Sequence, residues 1–214
     1  MKTYCSYHKN IQISVFAKTG TSFMDRLVLE DKILREELPI PDAHYISVRE
    51  PLDRFISGFI TFYRRLENPT RKDFAYISDA LMELDLLDAF KTCYDLCKNN
   101  WKFDGHTELV YKDWLPLQNF NKIVKYIDFR EIGLLCDLYN ITSEDHYQNN
   151  YIISRSTLPL NDYKNWYLNS NSINQKQELY NFLISNNEIF DNIKSFLKPD
   201  IEIYQNLPIH KIKA

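Results

Sequence analysis

A short turn near the start of the chain has the residue types of an anion-binding loop: Lys18, Thr19, Gly20, Thr21 and Ser22. The backbone N–H groups at a helix start have no partners within the helix, and the helix dipole favours an anion beside them. Gly20 would let the backbone approach a phosphate closely, and the neighbouring hydroxyls would add donors. Lys18 adds a mobile cation that can follow charge onto a leaving oxygen. The simpler alternative is an N-capped helix beside an unrelated lysine.

Two common phosphate-loop patterns do not fit this turn. The ATP-type loop GxxxxGK[ST] places its lysine after the glycines, whereas Lys18 precedes the single glycine, Gly20. The dinucleotide pattern GxGxxG is also absent from the segment. The turn is therefore predicted to bind an anion without belonging to either class.

A second set of possible anion-binding residues follows the pattern RxPxxRxxS: Arg49, Pro51, Arg54 and Ser57. Arg49 comes directly after a predicted strand, at the carboxyl end where open α/β sheets bind ligands. Pro51 suits the first turn of a helix, and Arg54 and Ser57 are three residues apart on one helix face. A guanidinium and a hydroxyl placed together there would suit a phosphate, because arginine can hold two oxygens at once.

A simpler interpretation exists for this second set as well. Arg49 could pair with Glu50 or Asp53, and Arg54 could be a solvated surface charge. The spacing favours an anion site, because the two turns are about 30 residues apart, the length of one crossover unit. That spacing predicts two anion sites at the ends of adjacent parallel strands.

The order of apolar segments predicts a single α/β domain over residues 1–214. Alternating or buried apolar runs predict strands at 11–17, 43–48 and 123–129. Helical spacing predicts helices at 23–38, from Pro51 onward, and at 130–139, 172–185 and 187–197, the last one stopped by Pro199. Strand–helix alternation implies a small parallel sheet flanked by helices in three layers. Residues 67–118 are interpreted as a helical insertion, and 142–162 as a long polar loop.

Composition limits the possible partners and compartments. The net charge of −3, from 26 basic and 29 acidic residues, gives no overall attraction to nucleic acid. Neither a signal peptide nor an apolar run long enough to span a membrane is present, so no membrane span and a cytoplasmic location are expected. The four cysteines lack the spacing of a metal site, so reduced thiols and no metal are expected.

Together the two turns resemble the nucleotide-binding signature of the sulfotransferase family, most closely its carbohydrate-sulfotransferase branch. The first family motif is a strand followed by a basic glycine–threonine/serine turn, here at 16–22. The second is Arg-x-Pro-x-x-Arg-x-x-Ser, and all four of its positions are filled here at 49–57. Weaker similarity covers 103–106 with 114–115, and 126–131. Ala17 departs from the pattern, since the family usually has a proline or a basic residue there.

The resemblance implies a P-loop-like fold that uses 3′-phosphoadenosine 5′-phosphosulfate as co-substrate, without a metal. The first turn (Lys18, Thr19, Gly20, Thr21 and Ser22) would hold the 5′-phosphosulfate, and Arg49 and Ser57 would hold the 3′-phosphate. An acceptor hydroxyl, on a glycan or another small molecule, would attack the sulfur in line, while Lys18 stabilises the leaving oxygen.

The general base is expected to be His106, since it lies in a family-like segment and imidazole titrates near neutral pH. Asp25 and Glu108 are the rival bases, and Asp25 follows the first turn by one helical turn, where some members of the family place a carboxylate. Two other function classes remain open: a small nucleotide-dependent kinase or phosphoryl transferase, and a non-catalytic nucleotide-binding module.

Overall fold

The computed structural model describes residues 1–66, 81, 83–97, 107–114, 124–141 and 172–212. The strands are β1 (Lys2–Ser6), β2 (Ile11–Val15), β3 (Ala43–Val48), β4 (Val124–Asp128) and β5 (Ile209–His210). The α-helices are α1 (Thr21–Leu29), α2 (Pro51–Leu66), α3 (Leu86–Cys97), α4 (Tyr111–Trp114), α5 (Ile132–Leu138), α6 (Ser172–Ser185) and α7 (Asn187–Gln205), and a 3₁₀ turn at Phe129–Glu131 precedes α5.

The strands form one mixed, mostly parallel sheet whose spatial order follows the chain, β1-β2-β3-β4-β5. β2, β3, β4 and β5 pair in parallel, whereas β1 pairs with β2 in the antiparallel sense. The predicted α/β class is confirmed, and the sheet, which the pattern predicts to be parallel, is mixed because β1 runs antiparallel to β2. β1 was missed because its sequence, KTYCS, carries little apolar periodicity, and the two residues of β5 are too few to show any.

Helices cover both faces of this sheet, which explains why every residue of β2 is buried. Ile11, Ile13 and Val15 pack with α1 and α5 in one core. On the opposite face, Ile46 and Val48 of β3 pack with α4 and with the end of α7. The sheet therefore lies between two helical layers, as the alternating pattern predicts.

A separate helical core forms beyond the sheet, where α2, α3, α6 and α7 pack together. The aromatic stripe of α2 supplies its centre, because Phe55, Phe59 and Phe62 are all fully buried. Leu81 and Phe90, from the predicted insertion at 67–118, are fully buried there too. The described parts of that segment include α3 and α4; the remainder of the insertion and the loop predicted at 142–162 lie outside the described residues.

Two predicted helix ends are wrong. α1 ends at Leu29 rather than near residue 38, because the chain turns back and Leu34 exchanges backbone hydrogen bonds of 2.8 and 2.9 Å with Cys5 of β1. α7 contains Pro199 and continues to Gln205. A proline within a helix removes one hydrogen bond and strains the turn before it, yet here the helix continues past it, and the next residue, Asp200, is fully buried.

All four cysteines are free; three are buried, and Cys97 is partly exposed. Burial raises the pKa of the Cys93 thiol to about 12, which keeps it protonated at neutral pH. Among the described residues, no helix combines the length and the apolar character needed to cross a membrane.

Candidate anion site at the carboxyl edge of the sheet

The two predicted turns lie side by side because β2 and β3 are adjacent and parallel. Ile11–Val15 is in register with Ala43–Ser47, so the segments that follow the two strands leave the sheet at the same edge. Ser47 also donates a 2.6 Å hydrogen bond from its Oγ to the carbonyl of Thr19. The end of β3 thus supports the turn that follows β2.

The first turn is shaped by its own hydroxyls. The carbonyl of Phe16 accepts hydrogen bonds from Thr19 Oγ1 (3.1 Å) and Thr21 Oγ1 (2.7 Å). The N–H of Phe16 donates to Thr19 Oγ1 at 2.7 Å, and Thr19 is fully buried. Thr19 and Thr21 were expected to offer hydroxyl donors to a phosphate; in this structure their hydroxyls close the turn.

Gly20 allows this turn to enter α1. Its φ of +107° is a conformation that L side chains rarely adopt, and a Cβ there would lie 2.9 Å from Ile132 Cδ1 of α5. Thr21 and Ser22 follow as the first residues of α1, so their N–H groups have no carbonyl four residues earlier within the helix. The start of α1 therefore offers backbone N–H groups that the helix itself does not use, while the side chain of Ser22 lies outside the described parts of the chain.

Lys18 connects the first turn to α2. It has a positive φ of 67°, and its Nζ donates a hydrogen bond to Thr61 Oγ1. Thr61 donates in turn to the carbonyl of Ser57 at 3.0 Å, so the ammonium lies on the α2 face that carries Ser57. Thr61 was not singled out from the sequence, although its position four residues after Ser57 places it on the same face.

Arg49 is largely buried, with 8% of its surface exposed, and it holds both turns together. Its Nη1 donates to the carbonyl of Lys18 at 3.2 Å, and its Nε donates to Asp53 Oδ2 at 2.6 Å. The guanidinium lies 4.2 Å from the centre of the Phe129 ring, a favourable cation–π geometry. The pairing with Asp53 that the sequence left open is present, and so is the contact with the first turn.

Asp53 lies between two cations. Its second oxygen pairs with Lys176 Nζ from α6, a residue that the motif does not include. Burial alone would raise the pKa of Asp53, but the hydrogen bonds and charges of Arg49 and Lys176 outweigh it and lower the pKa. The carboxylate is therefore ionised at neutral pH, and this end of the edge carries a compact group of three charges.

Arg54 lies in the protein interior, away from the candidate anion site. It is fully buried, its Nη2 donates to the carbonyl of Glu108, and it lies 3.8 Å from Asp200 Oδ2. Burial lowers its pKa, yet an arginine side chain remains charged in proteins. The predictions that Arg54 is solvated or meets Ser57 at a phosphate are therefore wrong, because Asp200 compensates its charge inside the protein.

Tyr111 is a residue of this edge that sequence reasoning missed. Its hydroxyl accepts a 2.7 Å hydrogen bond from the Arg49 N–H and donates a 2.6 Å bond to the Arg49 carbonyl. No local sequence signal marks this contact, since the two residues are 62 positions apart.

Of the three candidate bases, Asp25 and Glu108 lie within the described residues. His106 lies outside the described residues. Asp25 accepts hydrogen bonds from Lys2 Nζ at 2.8 Å and from Tyr4 Oη at 2.5 Å, so its carboxylate is held by β1. Glu108 offers its backbone carbonyl to Arg54. Within the described residues, no group of three or more metal-ligating side chains comes together.

No protein-family model matches this sequence, and neither a curated protein nor a solved structure is significantly similar to it.

Proposed function

We propose that this chain is a sulfotransferase that moves a sulfuryl group from 3′-phosphoadenosine 5′-phosphosulfate to an acceptor hydroxyl, with carbohydrates as the first acceptor class. The observation that carries the proposal is the direct contact between the two motif turns, Arg49 Nη1 to the Lys18 carbonyl at 3.2 Å. One nucleotide with a phosphate at each end of its ribose could therefore reach both turns.

The first turn suits the 5′-phosphosulfate end. An anion at the start of α1 would be stabilised by the first backbone N–H groups of the helix and by the ammonium of Lys18. In the transfer, the acceptor oxygen forms a bond to sulfur while the bond from sulfur to the bridging phosphate oxygen breaks. The electron pair leaves on that oxygen, beside Lys18, and a base takes the acceptor proton. Lys18 has three N–H donors, so its bond to Thr61 still allows it to contact the leaving oxygen.

The second turn suits the 3′-phosphate. In the described part of the chain, Arg49 donates one N–H to Asp53 and one to Lys18, while a guanidinium has five. The remaining donors can serve phosphate oxygens, and the buried setting strengthens such bonds. Ser57 lies half-buried on the α2 face that Lys18 reaches. We include a P-loop-like fold in the proposal, since the family that uses this nucleotide has one.

Thermal shift measurements test nucleotide recognition first. Adenosine 3′,5′-bisphosphate is expected to stabilise the protein without magnesium, by about 2.7 kcal/mol at one hundred times its dissociation constant. Adenosine 5′-phosphate, which lacks the 3′-phosphate, is expected to stabilise it less. Arg49→Ala should abolish the difference between the two nucleotides, whereas Arg35→Ala, at an exposed position, should preserve it.

Other outcomes would point to the other function classes. Stronger stabilisation by magnesium–ATP than by the bisphosphate would favour a kinase. Binding of the bisphosphate without transfer of labelled sulfate to any of a panel of glycans and phenols would favour a non-catalytic module. Transfer to a glycan at a rate that falls at low pH in wild type, with this acidic limb of the pH–rate profile absent from the slower His106→Gln variant, would support both the reaction and the base.

A further inference from the structure

We propose that Tyr111 and Asp200 are positioning residues that hold Arg49 for the second phosphate and thereby set the preference for a 3′-phosphorylated nucleotide. This inference rests on the proposed function, since it concerns the same anion site. Neither residue lies in a motif, and both reach the site through tertiary contacts.

Tyr111 holds the Arg49 backbone through hydrogen bonds. The hydroxyl bonds to both the N–H and the carbonyl of Arg49, at 2.7 and 2.6 Å. Tyr111 is fully buried, and burial raises the pKa of its hydroxyl, so the group stays protonated and can donate. These two hydrogen bonds fix the orientation of the peptide units on either side of Arg49. The guanidinium side chain therefore extends from a backbone that is held in place.

The Tyr111 ring lies between the two turns. The ring packs edge-on against Phe16, with 5.4 Å between ring centroids, and stacks on Tyr204 of α7 at 6.2 Å. Phe16 supplies the carbonyl on which the first turn closes. Tyr111 therefore contacts a residue from each turn and sets their separation.

The short helix α4 is held in place by Asp200. A helix of four residues has almost no stability of its own. The carboxylate of Asp200 accepts the N–H groups of Val110, Tyr111 and Lys112 at 2.8, 3.0 and 2.9 Å. The direction of α4, and with it the Tyr111 side chain, is therefore determined by Asp200, whose buried charge Arg54 balances.

These contacts give the second arginine of the motif a function. Arg54 lies only five residues after Arg49 in sequence, yet it acts on Arg49 through Asp200, α4 and Tyr111. The RxPxxR spacing thus places one arginine in the site and the other beneath it.

The test compares Tyr111→Phe with wild-type protein on two nucleotides. Phenylalanine retains the ring contacts but loses both hydrogen bonds, so we expect about tenfold weaker binding of adenosine 3′,5′-bisphosphate. Affinity for adenosine 5′-phosphate should be unchanged. In an Arg49→Ala background, Tyr111→Phe should cause no further loss, because the group that it positions is gone. Asp200→Asn should weaken bisphosphate binding with the same selectivity.

Tyr204→Phe is the matched control, because it retains the stacked ring and its hydroxyl is not among the hydrogen-bond partners of Arg49 in the described residues, which are Tyr111, Asp53 and Lys18; it should bind both nucleotides like wild type. Equal loss on both nucleotides in Tyr111→Phe would show a general structural role and overturn the inference, as would no loss at all. If wild-type protein binds neither nucleotide, the proposed function fails. Hydrogen exchange at the Arg49 amide then decides separately whether Tyr111 holds this residue. If it does, the amide should exchange faster in Tyr111→Phe than in wild type; an equal rate would overturn the positioning role.

Discussion

The two turns at the sheet edge are built in different ways. The turn at 16–21 is closed by hydroxyl and backbone contacts among its own residues. The turn at Arg49 is held by residues far away in the chain, including Tyr111, Phe129 and, through Asp53, Lys176. A locally closed turn can be recognised from a short stretch of sequence, whereas a turn held by distant side chains cannot. The comparison also predicts which mutations damage each turn.

The largest effect on stability is expected from Asp200→Ala. The change removes the acceptor of three N–H groups and leaves Arg54 as an uncompensated buried charge, which costs about 3–5 kcal/mol. Chemical denaturation measures the loss. Asp191→Ala, in the same helix but with a 73% exposed side chain that pairs only at the surface, should cost less than about 1 kcal/mol. Similar losses of unfolding free energy in both variants would show that the buried contacts of Asp200 stabilise the fold no more than a surface ion pair does.

Lys18→Ala should break the function of the first turn without disturbing its backbone. Because the turn is closed by Thr19 and Thr21, the variant should fold normally and bind nucleotide almost as well as wild type. Turnover should fall about 100-fold or more, since in the proposed reaction Lys18 meets charge that develops only as the bond to sulfur breaks. Sulfate transfer under saturating donor measures this, with Lys9→Ala at an exposed position as control. Full turnover in Lys18→Ala would exclude the proposed role.

Gly20→Ala should damage the first turn through its backbone. A non-glycine residue at a φ of +107° is strained by about 1–3 kcal/mol. The new methyl group would also press on the end of the Ile132 side chain. Denaturation of Gly20→Ala and of the double variant Gly20→Ala/Ile132→Val separates the two causes. If the second change restores wild-type stability, the close contact rather than the backbone conformation was responsible.

The smallest effect, roughly 1 kcal/mol or less, is expected from Asp53→Asn at the second turn. Because the pKa of Asp53 is lowered in the folded protein from 3.8, its ion pairs stabilise fully above that pH. The contribution is lost as the pH falls through the folded value. The free energy of unfolding of wild type should exceed that of the variant at about pH 6, and the gap should close in acid. A gap that widens in acid would contradict the assigned pairing.

Much of the fold follows from local patterns. β2, β3, β4 and the start of α2 at Pro51 lie within a few residues of the predicted positions, because their apolar periodicity is strong. β1, β5 and the true end of α1 depend on pairing with distant strands, which no local pattern reveals. Pro199 predicts the end of α7, but the helix continues to Gln205, which the local sequence does not reveal.

The candidate site divides in the same way. Lys18, Gly20 and Arg49 were chosen from residue type and spacing, and the structure brings their turns into contact. Tyr111, Asp200, Lys176 and Thr61 were not, because their importance lies in which atoms they touch. Arg54 was misread, since a charged residue near a helix start is ordinarily solvated and its buried partner is 146 positions later in the chain.

By itself, the sequence determined that apolar segments alternate as strand and helix and that a basic residue follows each of two neighbouring strands. Those features are local, and the chain expresses them through periodicity, glycine conformation and turn chemistry. Only the tertiary structure decided which arginine faces the edge and which is buried, and which distant side chains hold them. That choice depends on how charges are compensated in the interior, and such compensation is made between residues that are neighbours in space rather than in sequence.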